Sequence, residues 1–388
     1  MEKIRLILVA LLLSCTSVCM AGNLLYGPWV HNAGENGFTV LWVTEKPSLD
    51  YVVLAPDDGS AFEARVRDKY YETRYGRRVM GRYHCVRVDG LTPGTSYRYR
   101  IVGKVVKNAS SPYAVSFGPE VLVSPKKTTL RVRTLDSTAD SCRFSVLNDI
   151  HFKDERYKAL SEPIDPERTD FLILNGDIVS YSQSIDSVAK HSIMPIAKVA
   201  WSMPLFYARG NHEGRGVDFD KVYSLFPTNT GEFWYSFRHG PAAFIVLDAG
   251  EDKPDASHEY AGMADYDSYR ERETEWLRQA VKDESFVSAP VKICIVHIPT
   301  VKYKNSWYSQ IWITENWAPI LENAGIDLMI SAHHHKWIFS DSGQDGKGYP
   351  LLVNSNTERM DVSITAGSID VKTYDVAGSL CHEWNKSK

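Results

Sequence analysis

The chain has 388 residues, enough for two or three domains of ordinary size. Hydrophobic residues make up 44% of it and charged residues 24%, a balance that is typical of globular proteins and excludes a disordered or fibrous chain. The formal net charge is -4, so the composition also argues against nonspecific binding to duplex nucleic acid, which needs a basic surface.

The N-terminus has the pattern of an export signal. Two basic residues precede the unbroken apolar run Leu6–Leu13, and Cys19–Ala21 then offers small residues for a signal peptidase. We therefore expect residues 1–21 to be a signal peptide and the mature protein to be periplasmic, secreted or at the cell surface. Leu12–Cys15 is an alternative, lipoprotein-type cleavage site that would leave a lipid anchor on Cys15. The apolar run is too short to span a bilayer, and we expect no later transmembrane segment.

Residues 22–125 have the pattern of an all-β domain. Phe38–Val43 and Tyr97–Ile101 are strand-like, and turn signals rich in Gly and Pro lie between them. Short strands at this spacing predict a β-sandwich. The segment Leu91–Tyr97 resembles the tyrosine corner of fibronectin type III domains, in which a Tyr at a strand start hydrogen-bonds back to the preceding turn.

The polar stretch Ser124–Asp140 predicts a domain boundary, and strands alternate with helical patterns over residues 140–388. Apolar residues at helical spacing predict helices over Ile185–Trp201, Tyr269–Val281 and Thr314–Ala324. The last of these has a candidate cap at its first residue and a glycine stop after its last. We expect the apolar faces of these helices to pack on the sheet.

Four cysteines remain outside the predicted signal peptide, at positions 85, 142, 294 and 381, and none forms a Cys-x-x-Cys motif. Cys142 and Cys294 lie in predicted buried strands, where a free cysteine acts as a small hydrophobic residue. An exported protein can carry disulfides, but the sequence leaves their pairing open.

Five short apolar runs are each followed by metal-binding side chains. The runs are Cys142–Leu147, Phe171–Leu174, Leu205–Ala208, Ile293–Val296 and Asp327–Ile330. Each predicts a buried strand, and in an open α/β sheet ligands bind beyond the carboxyl ends of the strands. The residues that follow the runs include Asp149, His151, Asp177, Asn211, His297, His333 and His335. We expect these side chains to converge on a site for two metal ions.

The residue types suit that chemistry. Carboxylate, imidazole and amide groups are ligands for hard or borderline divalent cations. Asp149 and His151 are two residues apart, so they would point to the same side of an extended strand end, and the same holds for His333 and His335. Asp177 follows a glycine that allows a sharp turn, and its single carboxylate could bridge two ions.

The ordered set Asp-x-His, Gly-Asp, Gly-Asn-His-Glu, His and His-x-His resembles the calcineurin-like metallophosphoesterase superfamily. With a β-sandwich in front, the chain is similar to the purple acid phosphatase branch. The resemblance implies a fibronectin type III-like sandwich followed by an α/β domain, an αββα sandwich with the metal site at the strand ends.

The resemblance also implies roles for individual residues. The first metal would be bound by Asp149, His151, Asp177 and His335, and the second by Asp177, Asn211, His297 and His333. His212 would contact the phosphoryl group and the leaving group without binding metal. Glu213 would orient a metal-binding imidazole from outside the ligand set.

Some positions depart from the purple acid phosphatase pattern. Ser180 stands where those enzymes carry a Tyr that binds ferric iron, with Tyr181 one residue later, and His151 stands where they lack a metal-binding His. We therefore expect a mixed or homodinuclear Mn, Zn or Fe site. Other superfamily members carry an acidic or amide residue at the Ser180 position, so one contact around the ligands is expected to be missing. Ala332 replaces the Gly that usually precedes the final His-x-His.

These features predict an exported phosphoesterase that hydrolyses small-molecule phosphomonoesters. A metal-bridging hydroxide would attack phosphorus directly, and His212 would protonate the leaving alkoxide. A phosphodiesterase or nucleotidase on the same site is the alternative within this chemistry. A non-catalytic surface binding protein with a spent site is less favoured, because every ligand position and His212 are present. The sequence leaves the oligomeric state open, and the aromatic segment Asn305–Trp317 fits packing better than a roof over the site.

Overall fold

The structure is a computed structural model that describes residues 23–125, 129–301, 305–342 and 347–388. The predicted signal peptide at residues 1–21, the possible lipid anchor at Cys15 and part of the predicted boundary segment (residues 126–128) lie outside the described residues. Among the described residues, no helix has the length and apolar character that crossing a membrane requires.

The N-terminal part is all β. Its strands are β1 Leu24–His31, β2 Gly37–Pro56, β3 Lys69–Tyr70, β4 Thr73–Arg74, β5 Arg77–Arg78, β6 Gly81–Asp89, β7 Ser96–Ala109, β8 Val115–Phe117, β9 Val121–Leu122 and β10 Leu130–Arg133. The first half of the long strand β2 pairs with β1 and β6, and its second half pairs with β7, all antiparallel. Strand β2 is therefore part of two layers. The apolar side chains of the two layers meet in a shared core that contains Val40, Trp42, Val52 and Ile101.

The hydrogen bond expected of a tyrosine corner is present. The backbone N–H of Thr92 donates to the hydroxyl of Tyr97 at 3.0 Å, which ties the start of β7 to the turn before it. The all-β architecture is as predicted, whereas the assignment of this region to fibronectin type III domains stays a prediction.

The rest of the chain forms two sheets that face each other. Its strands are β11 Ser141–Leu147, β12 Phe171–Asn175, β13 Pro204–Ala208, β14 Tyr235–His239, β15 Ala242–Leu247, β16 Val291–Val296, β17 Leu328–Ser331, β18 Ile338–Ser340, β19 Leu351–Val353, β20 Arg359–Thr365, β21 Ser368–Tyr374 and β22 Leu380–Ser387. The order is β13-β12-β11-β20-β21-β22 in the first sheet and β14-β15-β16-β17-β19-β18 in the second. The strands that precede the predicted ligands are parallel to their neighbours among these, as expected.

Aromatic rings fill the space between the two sheets. Phe144 stacks on Phe171 within the first sheet, with ring centroids 5.2 Å apart, and meets Phe244 of the second sheet edge to face at 5.3 Å. Helices cover the outer faces, α1 Asp154–Ser161, α2 Ile185–Ile193 and α3 Ala197–Ala200 on the first sheet and α4 Tyr266–Ala280, α5 Glu284–Val287, α6 Tyr308–Asn316 and α7 Ala318–Asn323 on the second. This is the predicted αββα arrangement.

The first sheet continues into the N-terminal part. Strand β1 pairs in parallel with β13, with Val30 opposite Pro204 and His31 opposite Leu205. The hydroxyl of Tyr99 also donates to the carbonyl of Trp201 at 3.1 Å. The two predicted domains are thus joined by backbone hydrogen bonds, and the exact residue at which one ends stays a prediction.

Two helix predictions were wrong in detail. The predicted helix Ile185–Trp201 is broken at Ile193 by a 3-10 turn, because Pro195 has no N–H to donate and its ring clashes with the preceding turn. Thr314 is no cap, since it lies inside α6 and its hydroxyl donates to the carbonyl of Gln310 at 2.6 Å. The predicted stop at Gly325 is confirmed by its left-handed φ of 74°.

The cysteines behave as small hydrophobic residues where the sequence predicted it. Cys142 and Cys294 are buried, Cys85 is half-buried and Cys381 is exposed. These four, all within the described part of the chain, are free thiols.

Replacing Tyr97 by Phe should lower the free energy of unfolding by about 1 kcal/mol, because it removes the bond to Thr92 and little else. Urea denaturation measures this change. Tyr113→Phe is the matched control, since that ring is 98% exposed. Equal stability of the two variants would contradict a stabilising role for the Tyr97 hydroxyl.

Candidate metal centre

The structure brings all seven predicted ligands together beyond the ends of five strands. Three groups of His, Asp or Glu side chains have their ligand atoms within 4.8 Å of one another, namely Asp149/His151/His335, His151/Asp177/His212 and Asp177/His297/His333. The amide oxygen of Asn211 joins them, 3.1 Å from Nδ1 of His333. The prediction of a common site from five separate strand ends therefore agrees with the geometry.

Asp177 is central in this cluster. Its Oδ2 lies 3.2 Å from Nε2 of His297 and 3.7 Å from Nε2 of His151, and these two imidazoles belong to different groups. Oδ1 of Asp149 is nearest to Nε2 of His335, at 3.2 Å, and lies farther from Nε2 of His297 and of His151, at 3.8 and 3.9 Å. Asp177 is therefore the carboxylate that lies closest to imidazole nitrogens of two groups.

The backbone at the ligands is unusual. Five of the nine non-glycine residues with positive φ in the described chain are predicted ligands, and these are Asp149, His151, Asp177, His333 and His335. The expectation that the Asp-x-His and His-x-His pairs lie on extended strand ends was wrong, because both pairs follow the strand ends in left-handed conformations. Such conformations cost free energy and persist only where surrounding contacts fix them.

Glu213 supplies much of that fixation. Its buried carboxylate accepts hydrogen bonds from the backbone N–H of Asp177 at 2.9 Å, Ile178 at 2.8 Å and Gly210 at 3.0 Å. Burial, followed by the charge of Asp177, raises the pKa of Glu213 to about 7. The predicted role in orienting an imidazole was wrong, since this carboxylate holds the two ligand loops by their backbone.

Gly176 of the Gly-Asp motif and Gly210 of the Gly-Asn-His-Glu motif leave no room for a side chain, because other atoms approach their backbone closely. A Cβ on Gly210 would lie 2.2 Å from Oδ1 of Asp177, and a Cβ on Gly176 would lie 2.5 Å from Nδ1 of His297. Gly176 also has a left-handed φ of 76°. Any side chain at either position would push a ligand out of place.

Hydrogen bonds set the orientation of the imidazoles. Nδ1 of His297 lies 2.8 Å from the carbonyl of Asn175, so it carries the proton and leaves Nε2 free toward the site. Nδ1 of His212 is held in the same way by the carbonyl of Ser180 at 2.9 Å. The hydroxyl of Ser180 lies 3.3 Å from Nδ1 of His151, so the contact expected to be missing at this position is partly supplied by serine.

Asp149 is oriented by residues that the sequence analysis missed. Its Oδ2 accepts from the backbone N–H of His333 at 3.0 Å and from the amide of Asn148 at 2.8 Å. Asn354 in turn donates to Asn148 at 2.7 Å. Asn148 could have been noticed as a polar residue at the end of an apolar run, whereas nothing in the sequence marks Asn354, 206 positions away.

Two buried ligand atoms have no hydrogen-bond partner, and both belong to predicted ligands. They are Oδ1 of Asp149 and Nε2 of His297, which make no well-directed hydrogen bond although each lies 3.2 Å from an ion-pair partner, His335 and Asp177 respectively. An unpaired buried polar atom is costly, and coordination of a cation removes that cost. The donor set of two carboxylates, four imidazoles and one amide oxygen therefore fits the implied divalent metals.

The charges lead to the same conclusion. Although burial opposes the imidazolium form of His297, the carboxylates of Asp177 and Asp149 outweigh it and raise its pKa to about 10. Burial lowers the pKa of His151 to about 4 and that of His333 to about 3. Without a cation the site thus keeps a proton between His297 and Asp177, and a bound metal would take that proton's place.

Arg215 and Glu251 also reach the site without any sequence signal. Nη1 of Arg215 lies 2.9 Å from Nε2 of His212, and the other side of the guanidinium binds Glu251. The aromatic segment that was expected to serve packing does so only in part. Trp317 is fully buried, whereas Trp307 is 46% exposed.

Comparison with known proteins identifies the family. The model of the calcineurin-like phosphoesterase family matches residues 142–337, which is half of the chain. An uncharacterized protein of Schizosaccharomyces pombe is 27% identical over 200 residues, which is 45% of this chain and only 38% of the yeast protein.

A plant enzyme of known structure shares the fold. Purple acid phosphatase PPD1 from yellow lupin (Lupinus luteus) seeds superposes with a TM-score of 0.65 at 13% identity, over 93% of this chain and 74% of the lupin protein. GAP50, the anchor in the inner membrane complex of Plasmodium, has a TM-score of 0.49 at 15% identity, over 64% and 89% of the two chains. The family match makes this chain a member of the calcineurin-like phosphoesterase family, with the fold of a purple acid phosphatase and with candidate metal ligands that converge.

Proposed function

We propose that the protein is an exported phosphomonoesterase that acts on small organic phosphates at a dinuclear Mn, Zn or Fe centre. The observation that carries the proposal is the convergence of seven ligands with His212 beside them. The likeness in fold to a purple acid phosphatase over nearly the whole chain supports a phosphatase. The N-terminal signal pattern supports export.

The ligands divide between two ions by proximity. Asp149, His151 and His335 form one group, and His297, His333 and Asn211 lie on the other side of Asp177. In the proposed assignment Asp177 would be the shared ligand, because its Oδ2 lies closer to Nε2 of His151 and of His297 than Oδ1 of Asp149 does.

When bound, two divalent ions activate a water for attack on phosphorus and offset charge on the phosphoryl oxygens. The chain's own contribution centres on His212. Because Nδ1 of His212 donates to the carbonyl of Ser180, Nε2 is the nitrogen left for the substrate, and it lies 3.9 Å from Oδ2 of Asp177. In the structure Nε2 accepts an N–H from Nη1 of Arg215 at 2.9 Å, so His212 has to take up a proton there before it can act as an acid. An imidazole in that position can give a proton to the leaving alkoxide, which would otherwise depart as a strong base.

His212→Ala should lower kcat for a chromogenic aryl phosphate by about 100-fold to 10,000-fold, because it removes a general acid and no metal ligand. Steady-state assays of metal-replete protein measure this, with metal content determined in parallel. His258→Ala is the matched control, since that imidazole is 94% exposed.

Two outcomes would contradict the proposal. A wild-type protein that turns over the diester of the same alcohol faster than the monoester is a phosphodiesterase. A wild-type protein inactive on both after loading with Mn, Zn or Fe would favour a spent site.

Asp177→Asn should abolish turnover and reduce bound metal at both positions, because the shared ligand loses its charge. Elemental analysis after dialysis against metal-free buffer, followed by reloading, measures the metal content. Asp68→Asn changes an exposed carboxylate outside the site and should retain full loading. Wild-type loading and activity in the Asp177 variant would show that this residue does not bridge.

A further inference from the structure

We propose that Arg215 binds the phosphoryl group of the substrate and makes this site select phosphomonoesters over phosphodiesters. A phosphomonoester presents two negative charges near neutral pH, and a diester presents one. The inference rests on the proposed phosphomonoesterase function and assigns part of its substrate preference to one side chain.

One side of the guanidinium of Arg215 is held by Glu251. Its Nε donates to Oε1 of Glu251 at 2.6 Å and its Nη2 donates to Oε2 at 2.9 Å, the two-pronged geometry that fixes an arginine in plane. The Glu251 side chain is only 2% exposed and also accepts from the hydroxyl of Tyr260 at 3.3 Å. A buried anchor of this kind presets the position of the guanidinium before substrate arrives.

The other side of the guanidinium faces the reaction centre. Nη1 lies 2.9 Å from Nε2 of His212. That nitrogen in turn lies 3.9 Å from Oδ2 of Asp177, the central ligand. Glu251 occupies Nε and one edge of Nη2, and one N–H of Nη1 is used by His212, so the second N–H of Nη1 is left for an oxygen that enters beside His212.

Exposure separates Arg215 from a purely structural arginine nearby. Arg209 is 7% exposed and pairs with the fully buried Asp248 at 2.7 Å, so its charge is neutralised inside the protein. The Arg215 side chain is 34% exposed and lies beside His212. A third carboxylate, Asp252, lies 3.9 Å from Nη2 and so on the Glu251 side.

The selectivity follows from the count of charges. A fixed guanidinium interacts with each non-bridging oxygen charge, so the dianionic monoester gains more from it than the monoanionic diester. Removal of one preset donor at a phosphoryl or oxyanion site typically costs on the order of 100-fold in rate. For a diester the loss should be smaller.

The test compares an aryl phosphate with its methyl diester, which has the same leaving group and one charge fewer. Arg215→Ala should lower kcat/KM for the aryl phosphate about 100-fold and for the methyl diester less than about 10-fold. Inorganic phosphate, a probe that needs no turnover, should inhibit the variant more weakly by a similar factor. Arg215→Lys keeps the charge and should recover part of the monoester preference.

Arg82→Ala is the matched control. Arg82 is also bound in a two-pronged manner to a carboxylate, that of Asp186, and its side chain is 33% exposed, but it has no contact with His212 or the ligands. Its variant should keep the wild-type ratio of monoester to diester turnover. Metal content and far-UV circular dichroism show whether each variant is folded and loaded.

The outcomes separate the inference from the proposed function. If Arg215→Ala leaves the monoester-to-diester ratio and phosphate inhibition as in the wild type, Arg215 does not bind the phosphoryl group. An equal loss with both substrates would also overturn the inference, because it would show a structural role. A wild-type preference for the diester would refute the phosphomonoesterase proposal instead, while a fall in the ratio on loss of Arg215 would still support phosphoryl binding.

Discussion

The site depends on one buried carboxylate that holds two loops by their backbone. Glu213 accepts N–H groups from the loop after β12 and from the loop after β13, so Asp177 and Asn211 keep a fixed separation. Asp177 has a left-handed backbone, which an isolated loop would not maintain. Each of these hydrogen bonds is worth roughly 0.5–1.5 kcal/mol, and up to about 3 kcal/mol while the carboxylate is ionised, so together they offset the strain of one such residue.

The two sheets must also stay in register, because the ligands come from both. His297 follows a strand of the second sheet, yet its Nδ1 is oriented by the carbonyl of Asn175 in the first. The interlocked rings of Phe144, Phe171 and Phe244 between the sheets resist sliding, since a close-packed interior has few alternative arrangements. The packing of the core between the two sheets therefore fixes the relative positions of the ligands that come from each sheet.

The sequence predicted the parts of the site that follow directly from strand ends, such as Asp149 and His297, because an apolar run and the polar residue after it are adjacent in the chain. The role of Glu213 was predicted wrongly because its hydrogen-bond partners are backbone N–H groups, which no side chain in the sequence identifies. Arg215 and Glu251 were missed for a related reason. They are 36 residues apart, and only the folded loop brings them together. By contrast, the break at Pro195 could have been predicted from the sequence, although the helix Ile185–Trp201 was predicted without it.

The N-terminal sandwich contributes structure to the catalytic part rather than ligands. All three groups of metal-binding side chains found among the described residues lie between Asp149 and His335. Strand β1 instead pairs with β13, which would otherwise be an edge of the first sheet with unpaired backbone groups. Trp29 and Val43 of the sandwich also pack in the same apolar cluster as helices α1 to α3. Because β13 ends two residues before Gly210 and Asn211 follows, the sandwich stabilises the strand that positions a predicted ligand.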